Sequence, residues 1–255
     1  MPLSADEIYQ KLYLAVVQVI CERENNAVVT GSGVIVSPEG VVLTNAHVVE
    51  QAKQCFVKTG NPAVSLGKLR IVFAGNTTEK IAATLVPKED FALGKISDVV
   101  SSSAAKPPFK YLDLDAEYVM RIGDGFYAAA YPTELIGSGG FLAGKQNLVY
   151  TTTKVIDAFR VDDASVTYDV IELEGSIATQ QGSSGSPIIS PRDGSVIGIV
   201  FGQTGLEIDN GFEPPTIVET ARRTELAFLV SHLDRTIKKE KGKSLSEFIR
   251  ELSLE

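Results

Sequence analysis

Cysteine is scarce: only Cys21 and Cys55 occur in 255 residues. That excludes the dense disulfide framework of many secreted domains and points to a reducing compartment or a fold that needs no staples. Histidine is just as scarce, with His47 and His232 alone. Two histidines and two distant cysteines lack the spacing of a zinc site, so neither metal nor cofactor is expected. Long apolar runs are missing as well. Asp6, Glu7 and Lys11 interrupt the N-terminus, and Leu12–Ile20, broken by Gln18, is too short to span a bilayer. No stable membrane insertion is expected. Read as a whole gene product, the chain is expected to be cytoplasmic; as part of a longer precursor, it would be exported or membrane-anchored. Excess positive charge is also missing: the net charge is −8 and the pI near 5.0. Nucleic acid and anionic membrane are therefore not expected as main partners. The one basic stretch, Arg235 to Lys243, reads as a solvated helix face.

What is present suits a packed globular chain: 44% hydrophobic and 22% charged residues. Ser4 to about Tyr13 reads as a short amphipathic helix, with Ser4 as cap, Glu7 three residues on, and Ile8 and Leu12 on one face. Short β-rich runs follow at Ala15–Cys21, Ala27–Val36, Val41–Thr44, Gln54–Lys58, Leu69–Phe73, Ile81–Leu85 and Phe91–Ile96. Asp98 to Pro108, rich in Ser, Ala and Pro, reads as a linker. A second strand-rich half comprises Asp124–Tyr131, Leu148–Ile156, Val166–Leu173, Pro187–Ile189, Ser195–Phe201, Thr216–Glu219 and Leu226–Leu229. Helical periodicity then runs over Val230–Lys239 and Leu245–Leu252. Two β-rich halves and a closing helical segment predict an all-β fold of two packed antiparallel barrels, divided at about residues 1–110 and 111–255.

Three segments carry chemistry. Thr44-Asn45-Ala46-His47 ends a buried strand by delivering a base into a helical turn. Lys88-Glu89-Asp90-Phe91 offers two carboxylates, and the apolar residues after Asp90 mark it as the more desolvated, where attraction to His47 is least screened. Gly182-Ser183-Ser184-Gly185-Ser186-Pro187 holds a hydroxyl in a glycine turn. Base, orienting carboxylate and hydroxyl are the parts of nucleophilic acyl transfer. Their order decides between folds: α/β-hydrolases run Ser, Asp, His, and subtilisin-type enzymes begin with Asp. His47, Asp90 and Ser184 are the candidate catalytic residues, and the amides of Gly182 and Ser184 the candidate oxyanion hole.

With these motifs the chain resembles the trypsin-like (chymotrypsin-fold) serine proteases, and most closely the bacterial HtrA/Deg type. Gly31-Ser32-Gly33-Val34-Ile35-Val36, Gly40 through Val49, Asp90 through Ile96, Ile122-Gly123-Asp124 and Val196-Ile197-Gly198-Ile199 all fall where that family would place them. The resemblance runs from about Leu14 to His232. It implies two six-stranded barrels with the triad in the cleft between them, flanked here by a short N-terminal helix and C-terminal helices. It also implies a serine endopeptidase acting through an acyl-enzyme on unfolded or extended polypeptides. Ser183 and Ser186 depart from the usual Gly-Asn-Ser-Gly-Gly. No carboxylate stands at 183 to pair with a newly made N-terminus, so activation by cleavage is not expected. With only about 20 residues after His232, a following PDZ module is not expected either. Relatives of this type assemble as trimers through N-terminal aromatics; Tyr9 and Tyr13 are suited to that role or to packing on the second barrel.

Specificity follows from Ala178, six residues before the nucleophile, where cutters of Lys/Arg carry Asp. An uncharged pocket floor favours small or medium apolar side chains. Thr179, Gln180 and Gln181 on one side, and Phe201, Gly202 and Gln203 on the other, are the candidate walls. Such a pocket discriminates by only ~1–3 kcal/mol per methylene, so the preference is broad. Two other readings use the same residues: a non-catalytic peptide-binding or chaperone-like module, and an esterase. Labelling by a fluorophosphonate separates the first from a peptidase, and a peptide-library digest the second.

Overall fold

The computed structural model describes residues 2–254 except 82–86, 104, 134–145, 162–165, 177, 179–181, 205, 209–215 and 219–223; for 203, 204, 206–208 and 216–218 it describes the backbone alone. The chain begins with α1 (Ala5–Leu12), closed by the capping box its sequence foretells. The Ser4 hydroxyl accepts the Glu7 amide at 3.3 Å, and the Glu7 carboxylate accepts the Ser4 amide at 2.8 Å. Those contacts, the backbone bond first, hold the Glu7 carboxyl below its ordinary range. Ile8 and Leu12 are fully buried. The Tyr9 ring lies 5.6 Å from Tyr150 on the second barrel and 6.0 Å from Tyr13.

The first barrel consists of β1 (Val16–Arg23), β2 (Val28–Ile35), β3 (Val41–Thr44), β4 (Ala52–Gly60), β5 (Ala63–Ala74) and β6 (Ala92–Ser97), closed in the order β1-β2-β3-β6-β5-β4. Between β3 and β4 lies the single helical turn α2 (Ala46–Val49). The second barrel takes β7 (Gly125–Ala130), β8 (Val149–Phe159), β9 (Val170–Glu174), β10 (Pro187–Ile189) and β11 (Val196–Thr204). A side hairpin of β12 (Leu206–Ile208) and β13 (Thr216–Val218) precedes its last strand, β14 (Thr224–Leu229), and the barrel closes as β10-β11-β14-β9-β8-β7.

The apolar runs are nearly continuous because many strands are buried on both faces. Val17, Val19 and Cys21 join Ile35 and Val42 in the first barrel's own core. Their neighbours Val16, Val34, Val41 and Leu43 instead join the cluster shared with Ala129, Tyr131, Ile189 and Phe228 of the second barrel. A period of two thus divides these strands between a barrel interior and the seam. Phe126, Ala128 and Ala130 show the same division in β7.

Two strand readings are corrected, and a third lies largely outside the described residues. Thr216–Glu219 contributes β13, which pairs with β12 outside the barrel. The Val166–Leu173 strand starts only at Val170, because Val166 is 92% exposed and Asp169 turns inward. Of Ile81–Leu85 only Ile81 is described, and it lies outside the named strands. The expectation of a chain without staples is also overturned. Cys21 and Cys55 face each other across β1 and β4, with Cα atoms 4.1 Å apart, and are joined by a disulfide.

Residues 98–124 connect the barrels and are stitched to both. The Phe109 amide donates to Pro38 and that of Leu112 to Ile35 in the first barrel; the Asp115 amide donates to Val196 in the second. After β14 come α3 (Val230–Lys241), ended by Gly242 in the left-handed region, and α4 (Leu245–Leu254). Helix α3 rests on β11 and β14, whereas α4 crosses back to β3. There the Phe248 ring meets Phe73 edge-on at 6.2 Å, and Lys95 Nζ donates to the Leu252 carbonyl at 2.9 Å. The C-terminal segment thus straps the two barrels together. Ile249, 7% exposed, lies in the shared cluster. Ile249→Ala is expected to destabilise the fold by about 2–5 kcal/mol in urea titration, with an unchanged m-value if the native barrels persist.

No helix among the described residues is long and apolar enough to cross a membrane.

Candidate active site

His47 reaches the cleft because β3 ends at Thr44 and α2 begins two residues later. Asp90 arrives from the neighbouring strand, just before β6, whose residues pair with β3 from Thr44↔Ala92 onward. Strand register therefore brings residues 43 positions apart into contact. Asp90 accepts twice from His47. Its Oδ2 lies 2.6 Å from the ring Nδ1, and its Oδ1 accepts the His47 backbone amide at 2.9 Å. Asn45 adds a third tie by donating its side-chain amide to the Asp90 carbonyl at 2.6 Å. The carboxylate side chain is 2% exposed and the imidazole 37%. The carboxylate is thus the buried member of the pair and the imidazole the more open one. Since ionised Asp90 is an acceptor only, Nδ1 carries the hydrogen and Nε2 keeps its lone pair.

Glu89, the competing carboxylate, is directed elsewhere. It lies beside Glu240 on α3, whose carboxyl is raised by burial first, then by the nearby charge of Glu89.

The loop 182–186 faces this pair from the second barrel. Gly182 and Gly185 take φ of +89° and +87°, left-handed values that glycine adopts without strain. At Gly185 space is decisive too: a Cβ there would stand 2.2 Å from the Ser32 carbonyl oxygen and 2.5 Å from Thr44 Oγ1. The glycine is required by the approach of the first barrel, beyond any need to admit substrate. Backbone bonds set the loop: Ser32 N to Ser184 O at 2.7 Å, Ser186 N to Ser183 O at 2.8 Å and Gly185 N to Val200 O at 2.8 Å. The Ser184 carbonyl lies beside Gly31, whose other close neighbour is Val48, the residue after His47. Loop 182–186 and the imidazole turn are therefore adjacent. Among the described residues, no hydrogen bond joins the Ser184 hydroxyl to the imidazole, and none is donated by the amides of Gly182 or Ser184. Catalytic hydrogen bonds often tighten only when substrate binds.

The expected specificity residues divide. Ala178 is fully buried in the second barrel's core with Ala128, Ile188 and Val200. Phe201 is 6% exposed and stacks on Phe228 at 4.0 Å, at a register shift between Val200 and Gly202. Gly202 borders open space: a Cβ there would have no neighbour within 4 Å. Gln203 belongs to β11, and its side chain lies outside the described residues, as do Thr179, Gln180 and Gln181 entirely.

Several supporting residues carry no motif of their own. His232 on α3 lies with Nε2 2.8 Å from the Lys88 carbonyl, two residues before Asp90, and with Nδ1 3.3 Å from Asp169. Asp169 is buried, which alone would raise its carboxyl. Hydrogen bonds from His232, the Val161 amide and Arg235 outweigh burial and hold it well below the usual carboxylate range. No group of three or more metal-ligating side chains occurs among the described residues.

Residues 31–199 match the family described as trypsin-like peptidase domain. A Rickettsia conorii protein named probable periplasmic serine endoprotease DegP-like is 25% identical over 205 residues, covering 76% of this chain and 33% of that protein. The chain spans about a third of that relative's length. Among solved structures, the active form of Rv3671c protease from M. tuberculosis superposes with a TM-score of 0.60 at 22% identity, covering 91% of this chain and 83% of that one. The HtrA-type protease AlgW with tripeptide gives 0.60 at 19% identity, covering 94% and 65%. These two likenesses are of fold. With the double barrel and the family match together, the chain belongs to the trypsin-like peptidases and is similar to their HtrA/Deg-type members.

Proposed function

We propose that the chain is a serine endopeptidase working through an acyl-enzyme, with Ser184 as nucleophile, His47 as base then acid, and Asp90 as the group that orients the imidazole. The double acceptance by Asp90, from the His47 ring and from its backbone amide, carries the reading. It fixes ring and tautomer together, and stabilises the imidazolium that forms as the Ser184 proton moves to Nε2. The oxyanion of the tetrahedral intermediate would lie at the Gly182 and Ser184 amides, whose hydrogens have no other acceptor among the described residues.

The uncharged, buried Ala178 supports a preference for small or medium apolar residues before the scissile bond. Gly202, whose side-chain position borders open space, supports room for an extended segment beside β11. The Cys21–Cys55 bridge supports an oxidising compartment, in keeping with the word periplasmic in the relative's name.

The test is a fluorophosphonate with peptide mapping, followed by digestion of a peptide library. Expected are one adduct, on Ser184, and cleavage after small or medium apolar residues. Protein that binds unfolded casein yet takes up no label would sink this reading and favour a peptide-binding module.

A further inference from the structure

We propose that Ser32 is a positioning residue for hydrolysis, its hydroxyl holding the peptide between the two oxyanion donors from across the barrel seam; the inference rests on the reading of Ser184 given above. Ser32 lies on β2 of the first barrel and is fully buried. Its hydroxyl donates to the Gly182 carbonyl at 3.1 Å and accepts the Tyr131 amide at 3.0 Å. Both partners belong to the second barrel's half of the chain. Its backbone amide donates to the Ser184 carbonyl at 2.7 Å, and its own carbonyl accepts Thr44 Oγ1 at 2.7 Å. One residue therefore grips the carbonyls on both sides of Ser183 and ties them to the strand that delivers His47.

The grip on Gly182 has a chemical consequence. Glycine has no side chain to resist rotation, and Gly182 already sits at φ +89°. Its carbonyl and the amide of Ser183 form one rigid peptide plane, lying between the Gly182 and Ser184 amides. Bonded to a fully buried hydroxyl, the carbonyl points into the seam. Freed, it can swing toward the cleft and set an acceptor beside a developing negative charge. The adjacent Ser183 carbonyl is already tied within the loop, to the Ser186 amide at 2.8 Å. The plane after Gly182 depends on Ser32, and this contact spans 150 positions of sequence.

Ser32→Ala and Ser32→Cys separate hydrogen bonding from filling of space, because a thiol occupies the volume but is a weak donor. With a peptide substrate both variants are expected to lose at least about tenfold in kcat, less than outright removal of an oxyanion donor costs, with KM within about twofold. Amide hydrogen exchange of the whole chain should quicken across 182–186 and stay unchanged in β10. Unaltered kcat in Ser32→Ala, a KM rise matching the kcat loss, or restored kcat in Ser32→Cys would each overturn the proposal. If the unsubstituted protein neither cleaves peptides nor takes the fluorophosphonate, the nucleophile reading fails instead. Exchange then decides the role of Ser32: faster exchange at 182–186 in Ser32→Ala upholds the brace, and unchanged protection removes it.

Discussion

Ser184→Ala is expected to lower kcat by on the order of 10⁶-fold while leaving thermal unfolding within a degree or two of the unsubstituted protein. The separation of the two effects follows from how the loop is held. Its carbonyl at 184, its amide at 185 and the bond from 186 back to 183 all belong to the backbone and survive the change. The hydroxyl of Ser184 makes no hydrogen bond among the described residues that would be missed on its removal. What is lost is the atom that attacks the carbonyl, together with the covalent intermediate it forms. Its neighbours supply the internal control. Ser183 and Ser186 are fully buried, with hydroxyls that have no partner among the described residues. Fluorophosphonate mass should therefore persist in Ser183→Ala and Ser186→Ala and vanish only in Ser184→Ala. Persistence of the adduct in the last variant would move the nucleophile elsewhere.

What could be read along the chain was local chemistry. Ser4 and Glu7 are three residues apart, and their capping box formed as written. The apolar residues after Asp90 set it apart from Glu89, and the structure buries Asp90 against His47 while Glu89 turns to Glu240. What could not be read depends on the closing of barrels. Cys21 and Cys55 are 34 positions apart in sequence but opposite each other once β1 pairs with β4. The contacts of Ser32 with Gly182 and of His232 with Lys88 span 150 and 144 positions; no periodicity encodes them, since each needs both barrels assembled. Phe201 shows a subtler limit. The register shift that stacks it on Phe228 was not legible. Thr216–Val218 has the composition of a barrel strand and forms a side hairpin instead, because β11 pairs directly with β14.

Asp90→Asn is expected to lower kcat by about 10⁴-fold with little change in KM or stability, for a reason visible in the two bonds at that carboxylate. The His47 backbone amide can only donate, so the asparagine must present its carbonyl oxygen at the Oδ1 position, 2.9 Å away. The amide nitrogen is then forced onto the Oδ2 position, 2.6 Å from Nδ1. It too donates, so Nδ1 must become the acceptor and the ring hydrogen moves to Nε2. In that tautomer the imidazole keeps its place but has no lone pair toward Ser184, and proton abstraction fails. The opposite amide orientation would set two donors face to face at the backbone and leave a buried N–H unsatisfied, at a cost of about 1–3 kcal/mol. Steady-state kinetics with ring ¹⁵N chemical shifts measure both halves. Loss of turnover should accompany transfer of the hydrogen from Nδ1 to Nε2. An asparagine variant within tenfold of the parent, or one whose ring keeps Nδ1 protonated, would show that Asp90 does not set the tautomer.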